Sequence, residues 1–391
     1  MKIAPYYQKL LEAGMQAASS LEPITFAGMS DSGIDYIFTL SVPLFTSELG
    51  GEIKPVFLDI SGLTTAEMIS AEISAILSDE FGQNIDSDYS SISKAVKLFT
   101  QKTKLVFVMH LGHDGFQESS LFVFINHLRN LLGWRFSYCI FTYARVLFQD
   151  NVAVVDKVLK RNIVPVLPLL PPDAQVVLGN YEERYGEKTS KNAKNTIISN
   201  SGGNPGLLKA LYLQAIHDPN WKEPNILEEQ LYFRLNNIAL DLSKEAKAYI
   251  QKQNIKVNPL LEYLLFRYGY IQKISKHNSA FTPLLVDFLQ KYQKKAPQLP
   301  IMKHNAINEE LLYFTKTQRK VMDYLREHTG ELISKDTLAQ VLWGENWADR
   351  YSDWAIDQLI STLRDKLHVV KHEGQIITKR GEGIIYLSKK I

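Results

Sequence analysis

The sequence predicts an α/β chain: a parallel sheet covered by helices, then a helical segment, then two small helix-and-hairpin domains. Three observations carry this. Up to about residue 170, short apolar runs alternate with helical patterns, as in a parallel sheet with both faces covered. Residues 171–217 are patterned as helix throughout. Residues 306–391 are compact and rich in turn signals, and they follow the clearest linker, Lys294-Lys295-Ala296-Pro297-Gln298-Leu299-Pro300.

The elements follow in order. Residues 1–20 read as one helix with Tyr6, Leu10, Leu11 and Met15 on its apolar face. The expected strands are Ile24–Gly28, Pro55–Ile60, Lys104–His110, Phe136–Thr142 and Val164–Leu169, with helices near 35–48, 64–82, 118–132 and 151–161. Trp134, Phe136 and Tyr138 are expected in the sheet and core. Pro171-Pro172 starts the helical segment, and Ser201-Gly202-Gly203-Asn204-Pro205-Gly206 interrupts it before a helix at 206–216. Helices at 226–239, 243–253 and 258–268 precede a hairpin of Tyr270–Ile274 with Ser279–Pro283 and a helix at 284–294, a winged-helix-like order. The expected domains are 1–170, 171–224, 225–295 and 306–391.

Of the 391 residues, 45% are hydrophobic and 22% charged, which excludes a disordered or low-complexity chain. No apolar run reaches the length of a membrane span, and the first residues lack the apolar core of a secretory signal. The single cysteine, Cys139, sits in an apolar run and reads as a core residue. A cytoplasmic chain with no membrane partner is expected. Net charge is +2, but residues 231–300 hold 11 Lys/Arg against 4 Asp/Glu. Lys244, Lys247, Lys273 and Lys276 in that segment form a candidate phosphate-tracking patch, or a plain solvated face.

Residues 314–391 carry the most specific pattern. Val321, Met322 and Leu325 face inward from a first helix, and Gly330-Glu331-Leu332-Ile333-Ser334 makes a turn whose serine would cap a second. Leu338, Val341, Leu342, Trp343 and Gly344 close that helix. Ile356, Leu359, Ile360, Leu363 and Leu367 form the apolar face of a third, and Ile376-Ile377-Thr378-Lys379-Arg380-Gly381-Glu382-Gly383-Ile384 reads as a wing. In this order and spacing the segment resembles the OmpR/PhoB-type winged-helix DNA-binding domain. The resemblance implies double-stranded DNA as partner. It places recognition positions at Trp354, Gln358, Ser361, Thr362 and Arg364, and wing contacts at Thr378, Lys379 and Arg380. The third helix departs from the family's basic outer face, carrying Asp353, Asp357 and Asp365. A protein–protein adaptor is therefore the competing reading.

The front half resembles the P-loop ATPases of the AAA+/STAND class. The strand Ile24–Gly28 runs into Met29-Ser30-Asp31-Ser32-Gly33, with Gly28 and Gly33 at the spacing of a phosphate loop. The Lys and Ser/Thr that should follow are Ile34 and Asp35, and the strand that should end in a metal-binding Asp ends in His110. Asp31 and Asp35 would repel phosphates. Phe136–Thr142 with Arg145 is similar to the sensor strand, and Gly203 with Pro205 to the lid motif that borders adenine in STAND proteins. A kept scaffold without catalytic residues is the expectation: no hydrolysis, no cofactor, and at most a weak adenine contact at Gly203 and Pro205. His110, His113 and Asp114 lack a third ligand in sequence reach, so no metal is expected. Such a front half would serve oligomerisation or a protein partner, and an ATP-responsive switch is the remaining alternative.

Overall fold

The computed structural model describes residues 2–61, 63, 65–112, 119–145, 157–218, 220–252, 257–274, 277–292, 316–343, 374–379 and 383–388, with helical positions 356, 359, 360, 363, 364 and 367. The chain divides into two compact units, Met1–Pro300 and Ile301–Ile391.

The first unit is built on a parallel five-stranded sheet. Its strands are β1 (Ile24–Gly28), β2 (Ile53–Asp59), β3 (Lys104–His110), β4 (Phe136–Tyr143) and β5 (Ile163–Val166), in the order β2-β3-β4-β1-β5. β1 and β4 are buried at every position, as strands covered on both faces must be. Helices α1 (Pro5–Ser19), α2 (Ile34–Glu48), α3 (Ala66–Phe81), α4 (Tyr89–Phe99) and α5 (Ser119–Leu132) flank it. This is the fold class the sequence pattern predicts, with β1 an inner strand between β4 and β5 and its loop at the strand C-termini, where α/β folds bind ligands.

α4 is absent from the sequence reading. Its inward residues Ile92, Ala95 and Val96 keep helical spacing, but Asp88 and a serine-rich first turn read as loop; Asp88 in fact caps the helix, accepting from Ser91 N at 2.9 Å. The buried face of α1 is also shifted from expectation. Tyr7, Leu10, Leu11, Gly14, Ala17 and Ala18 are buried, while Tyr6 and Met15 lie at the border. Gly14 causes the rotation, because a Cβ there would stand only 3.1 Å from Phe45 and 3.2 Å from Phe26. Trp134 is not a core residue: it is 67% exposed, in a 3-10 turn (Gly133–Arg135) that ends where β4 begins pairing, Leu105 opposite Phe136. Phe136 and Tyr138 are buried as expected.

Helices α6 (Pro171–Tyr185), α7 (Lys191–Ser201) and α8 (Pro205–His217) form the helical segment. After them come α9 (Glu229–Leu240), α10 (Lys244–Lys252), α11 (Pro259–Arg267), the hairpin β6 (Ile271–Ile274) with β7 (His277–Ala280), and α12 (Pro283–Asp287), which continues as a π-turn over Phe288–Tyr292. The hairpin register, Ile271 opposite Ala280, ends the second strand earlier than expected. Thr282 takes the reason with it: its hydroxyl caps α12 by accepting from Leu284 N at 3.2 Å, and Pro283 lacks the N–H a ladder needs. Buried side chains from Ala4 to Leu289 make one contiguous core.

The second unit holds α13 (Lys316–Glu327), α14 (Lys335–Trp343), and the hairpin β8 (Gly374–Lys379) with β9 (Gly383–Ser388). Ser334 caps α14, accepting from Thr337 N at 3.1 Å. Ile333 pairs with Ile384 in both directions at 2.8 Å, an isolated antiparallel bridge on the edge of the hairpin. Gly383 (φ 145°) is required there, since a Cβ would collide with the Ile333 carbonyl. Ile356, Ile360, Leu363 and Leu367 are helical and buried at one helical face, as their spacing predicts. Three helical segments and a terminal hairpin make this unit a winged helix.

Candidate functional site

The loop between β1 and α2 has the backbone of a phosphate loop. Gly28 cannot carry a Cβ, which would strike Ser32 Oγ and the Val166 carbonyl. Gly33 lies at φ 92° against the Tyr7 hydroxyl, and Asp31 at φ 61° is one of few non-glycine residues in the left-handed region. Such a loop at a helix N-terminus presents amides to an anion.

In this protein the anion is a side chain. Asp241, at the end of α9 and 3% exposed, accepts from Ser30 N at 2.7 Å and Ser30 Oγ at 2.8 Å. Tyr270 Oη donates to the same carboxylate at 2.8 Å. The helical segment adds two further ties: Asn204 Nδ2 donates to Ser30 O at 3.0 Å, and Gly206 N to Asp31 O at 3.2 Å. Arg234 on α9 pairs with Asp31. Gly206 must lack a Cβ because Asp31 and Arg234 fill that space. Gly203 (φ 81°) is pressed onto Leu169, whose N–H it accepts at 2.9 Å, and buried Pro205 opens α8, its carbonyl accepting from Tyr181 Oη at 3.3 Å. Gly28, Gly33, Gly203 and Pro205 thus converge on one seam, closed by protein groups.

The positions that should hold phosphate and metal are also self-satisfied. Ile34 is core. Asp35 Oδ1 accepts from Tyr143 Oη at 2.6 Å and from His110 Nε2 at 2.9 Å. His110 Nδ1 bonds Asp59 Oδ1 at 3.0 Å, and Asp59 also accepts from Ser61 Oγ at 2.6 Å. Burial disfavours charge on His110, but the hydrogen bonds and then the charges of Asp35 and Asp59 outweigh it and raise its pKa to about 9. Protonated, the imidazole donates from both nitrogens. Burial works against the Asp59 carboxylate too, yet His110 holds it below its ordinary range. Phe38 stacks on the ring with centroids 5.1 Å apart. No group of three or more potential metal ligands occurs among the described residues. Cys139 is fully buried, which pushes its thiol pKa up.

Sequence reasoning found the altered loop and the histidine, but missed their partners. Asp35 and His110 were a legible signal, since an acid and a base replace the two groups that would meet the metal. Asp241, Arg234 and Tyr270 are remote in sequence and carry no motif.

In the winged helix, Thr378 and Lys379 stand exposed on β8, and Lys379 pairs with Gly383 across the hairpin. Arg364 turns to β8: its Nε donates to Ile376 O at 2.8 Å and its Nη2 to Thr378 Oγ1. Trp354, Gln358, Ser361, Thr362 and Arg380 lie outside the described residues, as does Lys276. Lys244 and Lys273 are exposed on α10 and β6, while Lys247 is half-buried; burial, then the charge of Arg145, lowers its pKa.

Residues 308–386 match the family model "Transcriptional regulatory protein, C terminal". The second unit is a winged helix of the transcriptional-regulator type. Regulatory protein VanRc of Enterococcus gallinarum is 29% identical over 103 residues, 26% of this chain and 43% of that protein, so the chain spans less than half of that relative. Structural likenesses include the Aeropyrum pernix ORC1 protein in complex with DNA (9% identity, TM-score 0.40, 99% of this chain and 88% of that one). Others are Cdc6p of Pyrobaculum aerophilum (12%, 0.39, 99% and 90%) and a STAND protein with a tetratricopeptide repeat sensor from Pyrococcus horikoshii (12%, 0.35, 92% and 50%). The α/β fold of the first unit rests on its own strand order. Among the described residues no helix is long and apolar enough to cross a membrane.

Proposed function

We propose that the chain is a DNA-binding transcriptional regulator whose first unit is an ATPase-like scaffold that neither binds nor hydrolyses nucleotide at the loop beyond β1. The observation that carries the first half is the regulator-family match over 308–386, on a unit whose wing strand exposes Thr378 and Lys379. A winged helix of this type sets a helix into the major groove and its wing on the adjacent backbone. Lys379, Arg380, Gln358, Ser361 and Thr362 are the assigned contacts, with Lys244, Lys273 and Lys276 as added phosphate contacts. The second half is supported by Asp241 on the Ser30 amide and by the Asp35–His110–Asp59 array. An incoming phosphate must displace a buried carboxylate and then face Asp31 and Asp35. The test is duplex binding by the full chain at two salt concentrations. Affinity falling steeply with salt is expected. Salt-independent or absent binding would favour the adaptor reading.

A further inference from the structure

The parallel strands place the closed loop at one edge of the sheet, beyond Gly28, His110 and Tyr143. At the other edge, where β3 and β4 begin, lies a second cleft of about 590 Å³. It is separated from the loop by the length of a strand, about 20 Å. Lys104, Arg129 and Arg161 line it, with Trp134, Ser20 and Asn130.

Three features set it apart from an ordinary basic surface. Arg129 is half-buried against the Tyr138 hydroxyl, and its Nη1 has no hydrogen-bond partner among the described residues. A charged group partly withdrawn from water gains more from an anionic partner than a fully exposed one does. Trp134 is 67% exposed, and its ring is flanked by Lys104 Nζ at 5.5 Å and Arg135 Cζ at 5.3 Å from the centroid. Arg135 is fixed there by donating from Nη1 to Thr100 O at 3.3 Å.

The charges can be weighed. The cleft receives the C-terminal ends of α1 and α5, each equivalent to about half a negative charge, and Glu22 adds one more. Against these stand Lys104, Arg129, Arg135 and Arg161. Lys104 is shared with Glu52 at 3.2 Å, but that carboxylate is 85% exposed and the pair is weak. The balance is positive, and the lining cations come from α5, β3 and Arg161 beside an aromatic ring.

We propose that this cleft binds a phosphate ester of the nucleotide class, with Arg129 and Arg161 on the phosphate and Trp134 beside the base. The ring and the volume argue for a nucleotide over a bare anion. The site is independent of the loop beyond β1, and of the DNA-binding reading.

The experiment is a fluorescence titration of the full chain at constant ionic strength with sodium phosphate, AMP and a short single-stranded oligonucleotide. The signal assigned to the cleft is the part that Trp134→Phe removes. AMP is expected to give a saturable change in that signal at sub-millimolar to millimolar concentration, with phosphate competing. Arg161→Ala, at an exposed position that leaves folding intact, is expected to weaken it about tenfold, the loss of one charge-assisted hydrogen bond. Arg129→Lys, which keeps the charge but loses the fork, is expected to weaken it too. Saturation by AMP identifies a free nucleotide, and saturation by the oligonucleotide alone identifies a nucleic-acid strand; both uphold the site. No Trp134-dependent change with any ligand, or binding by both arginine variants with the affinity of the unaltered chain, overturns it.

Discussion

The loop beyond β1 and the hairpin of β8 with β9 each need a glycine backbone, at Gly33 and Gly383, and each carries polar groups, yet they spend those groups in opposite directions. Around the loop, Asp241, Asn204, Arg234, Asp35 and His110 bond to one another and to the loop backbone. On the wing strand, Thr378 and Lys379 stay at the surface, and only Arg364 turns inward. A scaffold can keep a binding loop's backbone while replacing the ligand with its own side chains. What distinguishes a site from a relic is whether its donors are already occupied.

The largest effect expected from breaking this contrast is at Asp241. Asp241→Ala leaves Ser30 N, Ser30 Oγ and Tyr270 Oη without the buried carboxylate they share. A loss of about 3–4 kcal/mol is expected for the first unit, read as lowered urea resistance of amide exchange in β1 and β4. Unchanged exchange would show that the carboxylate is not a structural part of the loop.

His110 sharpens the same side through pH. Its folded pKa, about 9, lies above the ordinary 6.5, so its contribution is complete below pH 6.5 and is lost as pH rises through 9. The shift corresponds to at most about 3 kcal/mol, less because Asp35 is well exposed. The first unit's urea midpoint is expected to fall between pH 6.5 and 9.5, and His110→Asn to flatten that dependence.

How far the contrast could be read from sequence depends on the range of the interactions. All five strands were legible, because central parallel strands are continuous apolar runs between helices. The winged helix was legible for a similar reason: Ile356, Ile360, Leu363 and Leu367 repeat at helical spacing. The serine-rich start of α4 hid that helix, since a caps-and-turns residue reads as loop until its acceptor is seen. Trp134 was misplaced because apolarity alone does not tell a strand from the turn before it. The absence of Lys and Ser/Thr after Gly33 was plain in sequence. What fills their place was not, because Asp241 lies 211 residues from Ser30.

On the wing side the effects are smaller. Arg364→Ala removes the tie to Ile376 O and Thr378 Oγ1. It is expected to cost the second unit about 1–2 kcal/mol and to weaken DNA binding through misplacement of the wing; an effect on DNA affinity with unchanged stability would make it a direct contact. Lys379→Ala is expected to weaken binding to every sequence alike and to reduce the salt slope by about one unit. A loss confined to one preferred sequence would mean base readout instead.

With Asp241 already on the Ser30 amide, DNA binding by the second unit is expected to be independent of MgATP at the loop beyond β1. The direct measurement is the DNA affinity of the full chain at low and moderate salt, with and without saturating MgATP. Strongly salt-dependent binding with the same affinity in both nucleotide conditions is expected. Salt-insensitive binding, or an affinity that MgATP changes tenfold and Asp241→Ala alters in turn, would contradict it.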